Sequence, residues 1–334
     1  MRKTVKKAVF CLLLCVLVSV PVFSGPEQIE IKDLKKTMNS FVDELALSLP
    51  FNSSMGLNWA DAYIKNFPHF GVGFSVGFTT MELSAFNKLI DYFSPALPGW
   101  VKGFGGFPLP GYALEARLGG FGIPFDLGFK FGFMPIKPQN FQFERLDYFL
   151  IGGDFRYAVL KENVILPSIS VGLGFSYMKG GLGMAAGNGT KINYKDFSDT
   201  DQYIELGAPK LNADWSTASL DFKAQISKTF VVITPYLGIG ASNGWSKAGY
   251  SITSVITDSA GNIDEAKRVM KKIGIGNFDE KGFGAMSNTV PGWSFRVYGG
   301  FAFNIAKIVK LDFTGLYNFR DHKFGTTIGA RLQF

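Results

Sequence analysis

From residue 69 onward the chain alternates. In residues 69–80 (HFGVGFSVGFTT), Phe70, Val72, Phe74, Val76 and Phe78 fall on one side of an extended backbone, and Gly71, Gly73, Ser75, Gly77 and Thr79 on the other. Successive side chains of a strand point to opposite faces, so this period of two predicts a strand with one large apolar face and one small face. The pattern recurs nine more times, in residues 111–120, 125–134, 147–160, 165–178, 216–227, 230–242, 292–305, 308–319 and 324–334. Pro235 is the weak point of the seventh strand, because proline supplies no ladder donor.

The links between these strands also alternate. Residues 121–124, 161–164, 228–229 and 306–307 make tight turns, whereas 81–110, 135–146, 179–215 and 243–291 are long and the last link of that set, 320–323, is brief. Ten strands place every tight turn, and both termini, on one side. Aromatics gather where strands meet the long links, as Tyr177, Trp215, Trp293, Tyr317 and Phe319 show. Two long links carry helical patterns of their own, in residues 82–94 and 263–273.

Residues 25–68 have a different period. Leu34, Met38, Phe41, Val42, Leu45 and Leu49 recur at helical spacing, Pro50 closes the run, and residues 58–65 suggest a second short helix. An apolar stripe has to be covered. The segment therefore either enters the mouth of the strand array as a plug or docks beneath it on the tight-turn side.

Composition removes several classes. Arg2, Lys3, Lys6 and Lys7 precede an apolar run that ends near Val20, the form of a secretory signal over residues 1–24. Its removal takes four of the 34 basic residues and no acid, so the formal charge falls from +7 to +3 and gives no argument for nucleic acid. Cys11 and Cys15 lie in the same stretch, leaving no disulfide or thiol chemistry after it. Beyond it, no run approaches the ~18 consecutive apolar residues of a spanning helix. No cofactor or metal site is expected.

Alternating strands, glycine-rich small faces and a terminal Phe334 on an apolar face resemble bacterial outer-membrane β-barrels over residues 69–334. The resemblance implies an all-β, transmembrane, antiparallel up-and-down barrel of about ten strands with an N-terminal helical segment. It also implies export through the Sec route, location in the outer membrane among its lipids, and external loops at 81–110, 135–146, 179–215 and 243–291. Recognition of the last strand by the barrel-assembly machinery would run through Ile328, Leu332 and Phe334. Within the class the chain resembles spirochaete-type barrels. Its layout, a helical segment ahead of the first strand, is similar to that of the long-chain fatty-acid channels, although that family has more strands.

The inward faces hold the only concentrated chemistry. Glu115, Asp126, Asp154, Asp221 and Asp312 share them with Arg117, Lys130, Arg156, Lys223, Arg296, Lys310 and Arg331. Such a set either lines a hydrated path for small, anionic or hydrophobic solutes or closes the lumen as a salt-bridged network. The first makes a pore or transporter. The second makes a surface barrel whose loops meet host or envelope ligands. The small inward residues and amphipathic N-terminal segment favour the pore. Asp321-His322 resembles the Asp/His pairing of ten-stranded outer-membrane proteases, but the further acids of that site have no counterpart in the pattern, and no enzyme is expected.

Overall fold

The computed structural model describes residues 31–81, 107–136, 143–185, 190–193, 203–206, 210–253, 256–258, 283–286, 290–305 and 308–334. The signal-like residues 1–24, the helical patterns of 82–94 and 263–273, and the turn 306–307 lie outside them. The described elements are a helix α1 (Ile31–Ser53) and fourteen strands: β1 (Phe70–Met81), β2 (Phe107–Gly119), β3 (Phe125–Ile136), β4 (Phe143–Leu160), β5 (Ser168–Ala185), β6 (Thr190–Asn193), β7 (Tyr203–Leu206), β8 (Lys210–Ser227), β9 (Ile233–Thr253), β10 (Ile256–Asp258), β11 (Phe283–Met286), β12 (Val290–Asn304), β13 (Val309–Asn318) and β14 (Lys323–Gln333).

Ten of these close into one antiparallel ring in the order β1-β2-β3-β4-β5-β8-β9-β12-β13-β14. The seam is β14 on β1, paired from Gly71 opposite Gln333 to Thr79 opposite Gly325. Closure gives every strand of the ring two neighbours, the condition for a sheet to sit in lipid, although β2 and β3 pair only from Leu114 opposite Phe131 to Gly119 opposite Asp126. β6, β7 and β10 form a separate small sheet, and β11 pairs with the far end of β9. Outward rows such as Phe70, Val72 and Phe74, or Val171, Leu173 and Phe175, are exposed apolar bands. Among the described residues no helix is long and apolar enough to cross a membrane. The chain is a transmembrane β-barrel.

The strands are longer on the loop side than the alternation predicts. β8 begins at Lys210 rather than 216, β9 runs to Thr253 rather than 242, and β5 to Ala185 rather than 178. The physical reason is a reversal of polarity. Below, Leu220 and Phe222 face out while Asp221 and Lys223 face in. Above, Leu211 and Ala213 face in and are buried, whereas Lys210, Asn212 and Asp214 face out. Period two persists, but the wall has left the lipid and its apolar face now points inward. Trp215 belongs to this inner face, stacked over Gly180 and packed on the helix core, so it is not part of the outward aromatic row. Trp293, Tyr177, Tyr317 and Phe319 do face outward.

Turns also depart slightly from expectation. The β4–β5 turn covers residues 161–167 and the β8–β9 turn 228–232. Pro235 costs little where it stands. β8 pairs with β9 only to Ser227 opposite Tyr236, and the Lys228 amide donates to the Pro235 carbonyl at 3.2 Å. The missing proline donor thus falls just past the end of the β8 ladder.

Two helical expectations fail. α1 continues through Pro50 to Ser53, because its last turn is tied down by other groups: the Ser53 hydroxyl donates to the Pro50 carbonyl (2.9 Å) and Lys130 Nζ to the Ser53 carbonyl (2.6 Å). Residues 58–65 form no helix. Their main-chain groups are taken by the barrel wall, as follows.

Candidate functional site

α1 lies inside the ring, in its loop-side half. Met38, Phe41, Val42, Leu45, Ala46 and Leu49 are buried against inward residues of the upper wall, among them Tyr148, Leu150, Met178, Leu211, Ala213 and Tyr250. The Tyr250 hydroxyl donates to Asn39 Oδ1 at 3.2 Å, which fixes the start of the helix near the loop side. Its last turn reaches mid-lumen, where Asn52 Nδ2 donates to Thr79 Oγ1 (2.8 Å) and the Ser53 and Ser219 hydroxyls meet at 2.8 Å. From there the chain descends to the tight-turn side, where the Gly119 amide donates to the His69 carbonyl (2.9 Å) and β1 begins. Residues 31–69 therefore run the length of the barrel. The helix is not docked beneath the tight turns, and the chain ahead of β1 enters from the loop side rather than from the side of Phe334.

Below the helix the chain has no regular structure, and each main-chain group needs a partner in a space closed to water. The lumen side chains are those partners. Lys130 Nζ reaches the carbonyls of Ser53 (2.6 Å) and Met55 (2.8 Å), and Arg117 Nη2 that of Leu57 (3.0 Å). Tyr236 donates to the Asn58 carbonyl (3.2 Å), Gln225 Nε2 to those of Trp59 and Ala60 (2.8 and 3.0 Å), and Arg156 Nη1 to that of Asp61 (2.7 Å). In the other direction the amides of Ala60, Ala62 and Ile64 donate to Asp312 (3.2 Å), Ser227 (2.9 Å) and Asp126 (3.0 Å).

Twelve charged wall side chains face the lumen, and they fall into four groups. Asp126 joins Arg117 (2.6 Å) and Arg156 (2.7 Å), and Asp154 joins Arg117 (2.6 Å) and Lys223. Asp221 holds Arg296 at 2.8 Å, with Ser242 between them. Arg331 binds Asp312 (2.6 Å) and, with Lys310, the plug residue Asp61 (2.6 and 2.9 Å). Glu115 accepts from the Trp59 indole and the Ser75 hydroxyl, and its wall neighbour Lys130 sits on the helix-end carbonyls.

Trp59 is the centre of the lower lumen. The Arg331 guanidinium stands 4.7 Å from its ring centroid and that of Arg117 5.6 Å, both within cation–π reach. Gly71 opposite has no room for a side chain, since a Cβ would lie 2.7 Å from the Trp59 ring. Trp59 and Asp61 were not among the residues singled out from sequence. A signal existed: Asp61 is the only charge in residues 51–64, and the inward bases outnumber the inward acids by two.

Beneath the plug, an open cavity of about 1040 Å³ on the tight-turn side is bounded by Asp61, Ile64, Lys310 and the turns around Lys161 and Lys228. On the closing strand, Ile328 and Leu332 point outward, and Phe334 stacks on Phe70 with centroids 5.0 Å apart. Asp321 and His322 shape the β13–β14 turn. Asn318 Nδ2 donates to Asp321 at 3.1 Å, and the Tyr317 hydroxyl lies 2.9 Å from His322 Nδ1. His69 lies at the opposite end of the barrel.

No family model and no curated protein matches the chain. Among solved structures it is similar to the outer-membrane protease OmpT of Escherichia coli (9% identity, 80% of this chain and 97% of that one, TM-score 0.38). It is also similar to the attachment invasion locus protein Ail of Yersinia pestis (10%, 80% and 98%, TM-score 0.29) and to the toluene transporter TbuX of Ralstonia pickettii (9%, 87% and 94%, TM-score 0.28).

Proposed function

We propose that this protein is an outer-membrane barrel whose lumen is closed at rest, and that it acts at its loop face as a surface protein. One observation carries the reading: the plug backbone is hydrogen-bonded to wall side chains from Ser53 to Ile64, and most of the wall charges are paired with one another or with Asp61. A hydrated path would need those groups free. Export through the Sec route and reading of Ile328, Leu332 and Phe334 by the assembly machinery fit the same picture. So does contact of the loops with host or envelope ligands, and α1 begins on the loop side.

Planar-bilayer recording tests the closed lumen. The intact chain is expected to give no steady current; an ohmic conductance from it would sink the proposal and favour the pore. An epitope inserted ahead of Ile31 is expected to bind antibody on intact cells, and labelling only after outer-membrane rupture would oppose the threaded route. The second reading, a gated channel for small solutes, draws support from the cavity of about 1040 Å³ that ends at Asp61 and Lys310. It requires residues 54–66 to move.

A further inference from the structure

The tight turns are apolar at their tips, which their geometry does not require. Val231 and Val232 occupy both tip positions of a hairpin closed by the mutual Phe230–Ile233 hydrogen bonds (2.8 and 2.7 Å). Glycine, asparagine and aspartate are the usual choices there. Val231 is 95% exposed, and in the β4–β5 turn Val164 is 96% exposed beside an exposed Ile165. Phe121 and Ile123 stand out in the β2–β3 turn, and Ile305 and Ile308 flank the β12–β13 turn. Phe67, its ring tilted 30° against that of Phe121 at 4.9 Å between centroids, continues the ring at the seam.

These tips are held in place. Asn163 Oδ1 accepts the amides of Ile165 (2.9 Å) and Leu166 (2.7 Å). Lys228 Nζ crosses to the carbonyls of Asn163, Val164 and Leu166, and Glu162 binds the Thr229 amide (2.9 Å) and hydroxyl (3.1 Å). Two neighbouring turns are thereby stapled into one platform, with Val164 and Val231 exposed at the rim of the cavity beneath the plug.

We infer that this ring is a lipid-binding surface, set in the headgroup layer of the periplasm-facing leaflet with glycerophospholipid as its partner. Two features favour lipid over a docked protein. The ring appears at each tight turn whose tip residues are described, whereas a protein partner would mark one side. It is also continuous with the outward strand rows. On β5 the row from Ile169 to Tyr177 already spans nine residues, close to the ~9–11 that cross the hydrocarbon. Val164 and Ile165 therefore lie just below it, at the depth of the headgroups. Lys65 and Lys161, both exposed near the ring, carry the charge that lipid phosphates attract.

The inference rests on the barrel spanning a membrane and is independent of whether the lumen conducts. Its test uses the full chain with Cys11 and Cys15 changed to Ser, and one new cysteine at a time from Val231→Cys and Val164→Cys, labelled with a small environment-sensitive fluorophore. Refolded into phosphatidylcholine–phosphatidylglycerol vesicles, each label is expected to be quenched at least twofold more by lipids carrying a headgroup-depth nitroxide than by aqueous iodide. An Asp214→Cys label on the loop side should show the opposite order. If Val231 and Val164 labels are quenched by iodide as fully as Asp214, the tips stand in water and the lipid assignment is overturned in favour of a periplasmic protein surface.

Discussion

The two halves of the lumen solve one problem in opposite ways. On the loop side the filling is α1, whose main-chain groups are satisfied within the helix, so the wall around it can be apolar: Leu150, Met178, Ala213, Ala248. On the tight-turn side the filling is irregular chain, and the wall supplies Arg117, Lys130, Arg156, Gln225, Asp126 and Asp312 to meet many of its carbonyls and the amides of Ala60 and Ile64. The difference teaches that the lumen charges answer the backbone of the plug as much as one another. Where the filling changes from helix to coil, the wall changes from apolar to ionic. Lys130 marks the border, placing its ammonium where the helix ends with unsatisfied carbonyls and partial negative charge.

Breaking the ionic half at its most shared carboxylate should have the largest effect. Asp126→Ala leaves Arg117 without one of its carboxylates, Arg156 without its carboxylate and the Ile64 amide without an acceptor. It should destabilise the refolded barrel by about 3–5 kcal/mol, read as a lower urea midpoint in vesicles; a loss under ~1 kcal/mol would mean that charge does not hold this half. Leu45→Ala tests the apolar half. A loss of about 3 kcal/mol is expected from the cavity alone, with the same value at low and high salt. A salt-dependent loss there would erase the contrast between the halves. At the border, Lys130→Met strips two carbonyls of their donor for about 2 kcal/mol, and it should loosen residues 54–66 to hydrogen exchange while α1 stays protected. Smallest is Asn39→Ala, which removes one hydrogen bond to Tyr250 near the loop side and should cost less than ~1 kcal/mol by the same urea titration.

The outer surface was legible because lipid forces a strict rule on it: Phe125, Leu127, Phe129, Phe131 and Phe133 can be read as one face from spacing alone. The same rule made the inward charges visible as its complement. Above the lipid the rule reverses, so the outward-apolar pattern puts Leu211 and Ala213 in a loop and Trp215 in a girdle although their period never breaks. The plug was legible only as an amphipathic helix. Its lower part binds through carbonyls and amides, which every residue possesses, so the partners of Gln225, Tyr236 and Arg156 left no mark in the pattern. Only Asp61, a lone acid before an excess of bases, offered one.

A chain that runs through a closed ring also constrains time. Residues 31–69 join β1 at one end of the barrel and leave by the other, and the β14–β1 seam encircles them. Either the seam zips around a segment already lying in the trough of an open sheet, or the segment is drawn through afterwards, unpaired, past Trp59's eventual neighbours. In the first order, the earliest part of the chain templates the last pairing. The rate at which Phe334 finds Phe70 then reports whether Asp61 has already found Arg331.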